Sequence, residues 1–101
     1  MELLTEQLRK RLPALYSTEH EADPLVVAKF FTPDAQASWF AVEFDGEDMF
    51  FGWCDLCLNG AELGYFTLSA LRAIRGHLGL PVERDLHFVP VPLSVVMAES
   101  G

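Results

Sequence analysis

A chain of 101 residues, half of them apolar and eight of them phenylalanine, has enough material for one thin core and argues against disorder. Fifteen acidic side chains against seven basic ones give a net charge of −8, which disfavours direct contact with nucleic acid and with anionic membrane surfaces. No apolar run reaches the roughly 18 residues of a membrane span, and Met1 to Thr5 lacks the basic start and long apolar stretch of a signal peptide. The expectation is one cytoplasmic domain, and two cysteines three positions apart suit a reducing compartment.

Thr5 to Leu15 reads as a short helix, with Leu4, Leu8, Leu12 and Leu15 at helical spacing, Thr5 as cap and Pro13 breaking its end. Arg9, Lys10 and Arg11 lie on its outer side. Ser17 to Pro24 is polar and reads as a loop. Leu25 to Phe31 reads as a strand that puts Val26, Ala28 and Phe30 on one face. Thr32-Pro33-Asp34 makes a turn. Ser38 to Phe44 alternates, with Phe40, Val42 and Phe44 on one face and Trp39, Ala41 and Glu43 on the other. Met49 to Trp53 follows, with Met49, Phe51 and Trp53 aligned.

Pattern fixes an expected register for this hairpin. A four-residue loop, Asp45-Gly46-Glu47-Asp48, pairs Phe44 with Met49, Val42 with Phe51 and Phe40 with Trp53, apolar on apolar throughout. Asn59-Gly60 is a second turn, and Glu62 to Phe66 a further strand. Thr67 or Ser69 then caps a helix carrying Leu68, Leu71, Ile74 and Leu78 on one stripe and ending at Gly76 to Gly79. Asp85 to Val89 reads as a short edge strand ended by Pro90 and Pro92, and Ser94 to Ala98 as a last helical turn. The expected fold class is α+β, a single antiparallel β-meander of four to five strands with short helices packed on one face.

The only motif with a chemical name is Cys54-Asp55-Leu56-Cys57. A CxxC pair serves as half a zinc site or as a redox pair, with His77 and His87 as further ligands. The spacings match no standard zinc finger. The motif also closes a strand, whereas a redox pair wants a helix start, so two small buried side chains explain it more simply. Asp85 and His87 share a strand face, which permits an acid–histidine pair, but no nucleophile stands beside them. Asp45, Glu47 and Asp48 gather at one hairpin tip without the remaining ligands of a calcium loop.

The central 42 residues, Phe30 to Leu71, contain no Lys or Arg. Six of the seven bases lie before and after it in Arg9-Lys10-Arg11 and at Arg72, Arg75 and Arg84, with Lys29 at its border, so the expected charge layout sets a negative sheet and tip against a more positive helical side. With Trp39 and Phe50 on the uncovered face of the sheet, the expected binding surface comprises Trp39, Glu43, Asp45, Glu47, Asp48 and Phe50, aromatics ringed by acids. Its partner on charge grounds is another protein with a basic surface. A small zinc or redox protein, and a homodimer through the exposed face or edge strand, are the competing readings.

The segments Ala28-Lys29-Phe30-Phe31-Thr32-Pro33, Glu43 to Asp48, Phe50-Phe51-Gly52, Glu62-Leu63-Gly64-Tyr65-Phe66 and Gly79 to Asp85 resemble the domain-of-unknown-function 2958 family, over roughly Leu3 to Val96. The resemblance implies a small bacterial protein of plasmids and mobile elements, encoded near anti-restriction genes. It brings no catalytic residues and no cofactor, and Cys57 lies outside its pattern. It suggests a non-catalytic accessory protein, an acidic inhibitor of a host defence nuclease or nucleic-acid-binding complex of the anti-restriction or anti-CRISPR type.

Overall fold

The computed structural model describes residues 1–56 and 60–100. The chain runs α1 (Glu6–Arg11), β1 (Leu25–Val26), β2 (Ala28–Phe31), β3 (Ser38–Phe44), β4 (Met49–Asp55), β5 (Ala61–Thr67), α2 (Leu68–Ala73), β6 (Glu83–Arg84), β7 (Val91–Pro92) and α3 (Leu93–Ser100). Five strands form one antiparallel sheet in the order β5-β4-β3-β2-β6, and β1 pairs separately with β7. The fold is α+β, as expected. No helix among the described residues is long and apolar enough to cross a membrane.

Local chemistry explains where the helices start and stop. The Thr5 hydroxyl caps α1 by accepting from the Leu8 amide at 3.1 Å. The helix stops at Arg11, short of the expected Leu15, because Leu12 precedes Pro13 and adopts an extended conformation. Thr67 caps α2 through the Ala70 amide at 3.1 Å. This helix ends at Ala73, so Leu78 is not on a buried stripe but is 80% exposed. Asp34 captures the segment that the expected helix would have occupied, its Oδ2 accepting from the Leu78 and Leu80 amides at 2.6 and 3.2 Å.

The principal correction concerns the β3–β4 register. Phe40 faces Trp53 as expected and Ala41 faces Gly52, but Glu43 then faces Phe51 and Phe44 faces Phe50. Val42 is the extra residue of a β-bulge, and the alternation changes phase across it. The turn closes between Asp45 and Met49, whose carbonyl accepts from the Asp45 amide at 2.9 Å. Aromatic packing accounts for the shift: Phe50 lies 4.6 Å from Phe44, 5.1 Å from Phe66 and 5.5 Å from Phe30, centroid to centroid.

One core cluster therefore joins Phe30, Trp39, Ala41, Phe44, Phe50 and Phe66 to leucines of α1 and α2. A second cluster lies on the opposite face, where Leu93 and Val96 of α3 pack on Val26 and Val42 beside Phe40 and Trp53. Helices thus cover both faces, not one. The expected Leu25 to Phe31 strand is broken at Val27, which sends Val26 to the second cluster and Ala28 and Phe30 to the first. The last edge strand is Glu83–Arg84, paired with Phe31 and Phe30, and Asp85 to Val89 form a turn beyond it.

Candidate functional site

Three of the expected binding residues are interior. Trp39 and Phe50 are 6% and 0% exposed in the main core, and Glu43 is 3% exposed. Trp39 and Phe50 keep the face that alternation gives them, but leucines of α1 and α2 cover that face, while the bulge turns Glu43 to the opposite face, under the loop after α1. The hairpin-tip acids serve the fold. Asp45 Oδ1 accepts from the Glu47, Asp48 and Met49 amides at 2.8, 2.9 and 3.0 Å, which holds its carboxyl below the ordinary range. Asp48 accepts from the Ser69 amide at 2.8 Å and from its hydroxyl at 2.7 Å, tying the tip to the start of α2. Arg9 donates to the Gly46 carbonyl at 2.6 Å and lies 5.3 Å from the Phe44 ring centre, so basic α1 meets the acidic tip rather than standing apart from it. Glu47 is exposed. Asp48→Ala should lower stability by about 1 kcal/mol, the size of a lost cap, measured as a shift in the urea midpoint.

The cysteine and histidine expectations separate in the same way. Cys57 lies outside the described residues. Cys54 is half-buried, and burial followed by the Glu62 charge pushes its thiol up to about 11. A thiol in that state is a poor thiolate nucleophile. Among the described residues no three of His, Cys, Asp and Glu gather where they could hold a metal ion. His77 and His87 are both exposed, in separate turns. Asp85 does not orient the His87 ring: its Oδ1 accepts from the His87 backbone amide at 2.9 Å.

The structure instead assembles a groove of about 360 Å³ from five segments distant in sequence. The loop after α1 crosses the second sheet face and is fastened at its far end to α3. There Asp23 accepts from the Ser94 amide and hydroxyl at 2.9 and 2.6 Å, which lowers its pKa. At its near end the loop holds Glu43 of β3. Tyr16 adopts φ 67°, an uncommon left-handed conformation for a residue with a side chain, and points its amide at Glu43 Oε1, 2.8 Å away. The Thr18 amide donates to Oε2 at 2.9 Å, and the Thr18 hydroxyl donates to the same oxygen.

Burial opposes ionisation of Glu43, but the bonds from the Thr18 side chain, the Thr18 amide and the Tyr16 amide outweigh it and hold the carboxyl below its ordinary value. Above this charge stand Tyr16 and Tyr65, 61% and 52% exposed. Hydrogen bonding with Tyr16, then burial and the charges of Glu43 and Glu19, raise the Tyr65 phenol pKa. Phe51 backs Tyr65 with the two rings 5.2 Å apart, and Leu63, Glu19 and Glu21 complete the rim. Among the described residues, no Lys, Arg or His lines the groove. It presents aromatic walls around a fixed negative charge, a setting that suits an organic cation.

Of the expected binding residues, the groove retains Glu43 alone, as its buried floor. Tyr16, Glu19, Glu21, Leu63 and Tyr65 were missed by sequence reasoning. Leu63 and Tyr65 alternate in an exposed strand, a signal for a shared face, but nothing local joins them to the Tyr16 loop.

The chain belongs to the family described as "Protein of unknown function (DUF2958)", whose family model matches residues 3–100. No curated protein and no solved structure matches the chain.

Proposed function

We propose that this chain is a non-catalytic binding protein that holds a basic part of another protein in the Tyr16–Tyr65 groove. The observation that supports the reading is Glu43, a buried carboxylate kept ionised by three N–H and O–H donors, with no cationic side chain among the described residues that line the groove. A carboxylate has about four acceptor positions, so one remains beside the full charge. A lysine or arginine side chain can lie across Tyr16 or Tyr65, gain a cation–π contact and direct its charge toward Glu43, Glu19 and Glu21. Because Glu43 is held in its ionised form, it acts as a fixed charge and not as a proton carrier at neutral pH. The tip acids are engaged in the fold, so the groove supports the reading better than a row of charges imitating nucleic acid. A host defence nuclease or nucleic-acid-binding complex is the partner class we favour, since its phosphate-binding surface is basic.

The test is titration with a lysine-rich peptide and with a glutamate-rich control, followed through the ring resonances of Tyr16 and Tyr65. The basic peptide should saturate and shift both rings, and the acidic one should not. Glu19→Lys with Glu21→Lys, two exposed changes, should weaken binding by at least about tenfold while leaving the unfolding midpoint in place. Undiminished affinity in that variant, or no binding to the native protein, would overturn the reading.

A further inference from the structure

The sheet ends differently on its two sides. One edge is β6, only two residues long. The other is β5, whose seven residues, Ala61–Thr67, pair with β4 at every position without a bulge. Exposed edges are usually blunted by lysine, proline, bulges or shortness. The β5 sequence Ala-Glu-Leu-Gly-Tyr-Phe-Thr has none of these and a single charge, Glu62. Leu63 and Tyr65 are 45% and 52% exposed along it, on the face that carries the groove. At its centre Gly64 has no positive φ, and a Cβ built there meets nothing within 4 Å. Neither crowding nor turn geometry demands glycine at that point. A bare backbone in mid-strand commonly marks where another backbone comes close.

Resting on the reading above, we infer that the basic partner segment binds as an extended strand, hydrogen-bonded to the free edge of β5 as a sixth strand of the sheet. An added strand lies about 4.8 Å from its neighbour. Its side chains on the groove face then stand beside Leu63 and Tyr65, where a lysine or arginine can reach across the tyrosine toward the acids. Main-chain bonds supply the affinity in such docking, and alternate side chains supply the selectivity. Charge selects the occupant. A second copy of this chain would set −8 against −8, whereas a basic segment meets complementary charge. One seven-residue edge also falls short of the roughly 800 Å² per partner of a stable protein interface.

The probe is an end-blocked nonapeptide of alternating lysine and valine, added to the full chain, with a fully N-methylated peptide of the same side chains as control. The unmethylated peptide should slow hydrogen exchange at alternate amides of Ala61–Thr67. The methylated one, equal in charge but unable to donate, should bind at least about tenfold more weakly. Equal binding of the two peptides with the tyrosine rings still perturbed would leave the groove reading standing and overturn strand addition. Failure of both peptides to bind would overturn the two together. Protection of β5 without peptide, rising with protein concentration as the solution mass doubles, would identify a second copy as occupant and overturn the inference.

Discussion

Glu43→Gln should destabilise the protein by about 3 kcal/mol at neutral pH, although it changes one atom and almost no volume. Three donors converge on the carboxylate, the Tyr16 amide at Oε1 and the Thr18 amide and hydroxyl at Oε2. A glutamine offers one oxygen and one NH₂ group. Whichever way the amide turns, its NH₂ faces an N–H donor, which is then buried without an acceptor. The loss comprises one or two hydrogen bonds to a charged acceptor, each worth roughly 1.5–3 kcal/mol, together with the desolvated donor left behind. Urea unfolding should show a lower midpoint with an unchanged slope.

The pH dependence isolates the charge. Glu43 has a folded pKa below its ordinary value of 4.5, so its contribution is complete above about that pH and is lost as pH falls through the folded value. Asp23, Asp34 and Asp45 are also lowered, and both proteins keep them, so both weaken in acid. Only the gap between native protein and Glu43→Gln reports on Glu43. It should stay level from neutrality to about pH 4.5 and close below that, since a protonated carboxyl resembles the amide in offering one donor and one acceptor. A gap that stays constant down through the acid range would show that the carboxylate charge is not what holds the Tyr16–Thr18 loop.

Elements whose signals are local were legible. Thr5 with the leucine spacing marked α1, the alternation from Ser38 to Phe44 marked β3, and Thr67 marked the start of α2. The bulge was not, because its cause lies across the strand pair: Phe44 faces Phe50 in the main core only if Val42 is left without a partner. Beyond that point Glu43 and Phe44 exchange the faces that alternation assigns, whereas Trp39 and Phe50 keep theirs and looked like surface aromatics because helices were expected on the other face alone. Glu43 was hidden for another reason. A glutamate in an alternating strand reads as solvated, and two of its three partners are backbone amides, which every non-proline residue carries. The end of α2 was set by Asp34, 44 residues before the Leu78 amide it binds. The groove joins five segments for which no spacing rule exists, so no local pattern in the sequence outlines it.

Gly52→Ala should have the largest effect of any single methyl addition in the sheet, about 4 kcal/mol or loss of folding. A Cβ at Gly52 would lie 1.8 Å from the Phe40 carbonyl oxygen and 2.9 Å from the Phe40 carbonyl carbon. Both are backbone atoms, so no rotamer change relieves the contact, and β3 would have to part from β4 beside the bulge, where Ala41 faces Gly52. Gly64 sits directly across the ladder from Gly52 and supplies the control. A Cβ there meets nothing, and Gly64→Ala removes freedom from the unfolded chain, so it should be neutral or stabilise by up to about 1 kcal/mol. Two facing glycines, one chemical change and opposite outcomes in the same denaturation experiment test the close approach of β3 to β4 at Phe40 directly. Comparable losses at Gly52 and Gly64 would show that the β3–β4 backbone does not crowd at Phe40. A large loss at Gly52 alone would mean that β3 and β4 meet at Phe40 too closely for any side chain, immediately before the bulge that turns Phe44 into the core and Glu43 toward the groove.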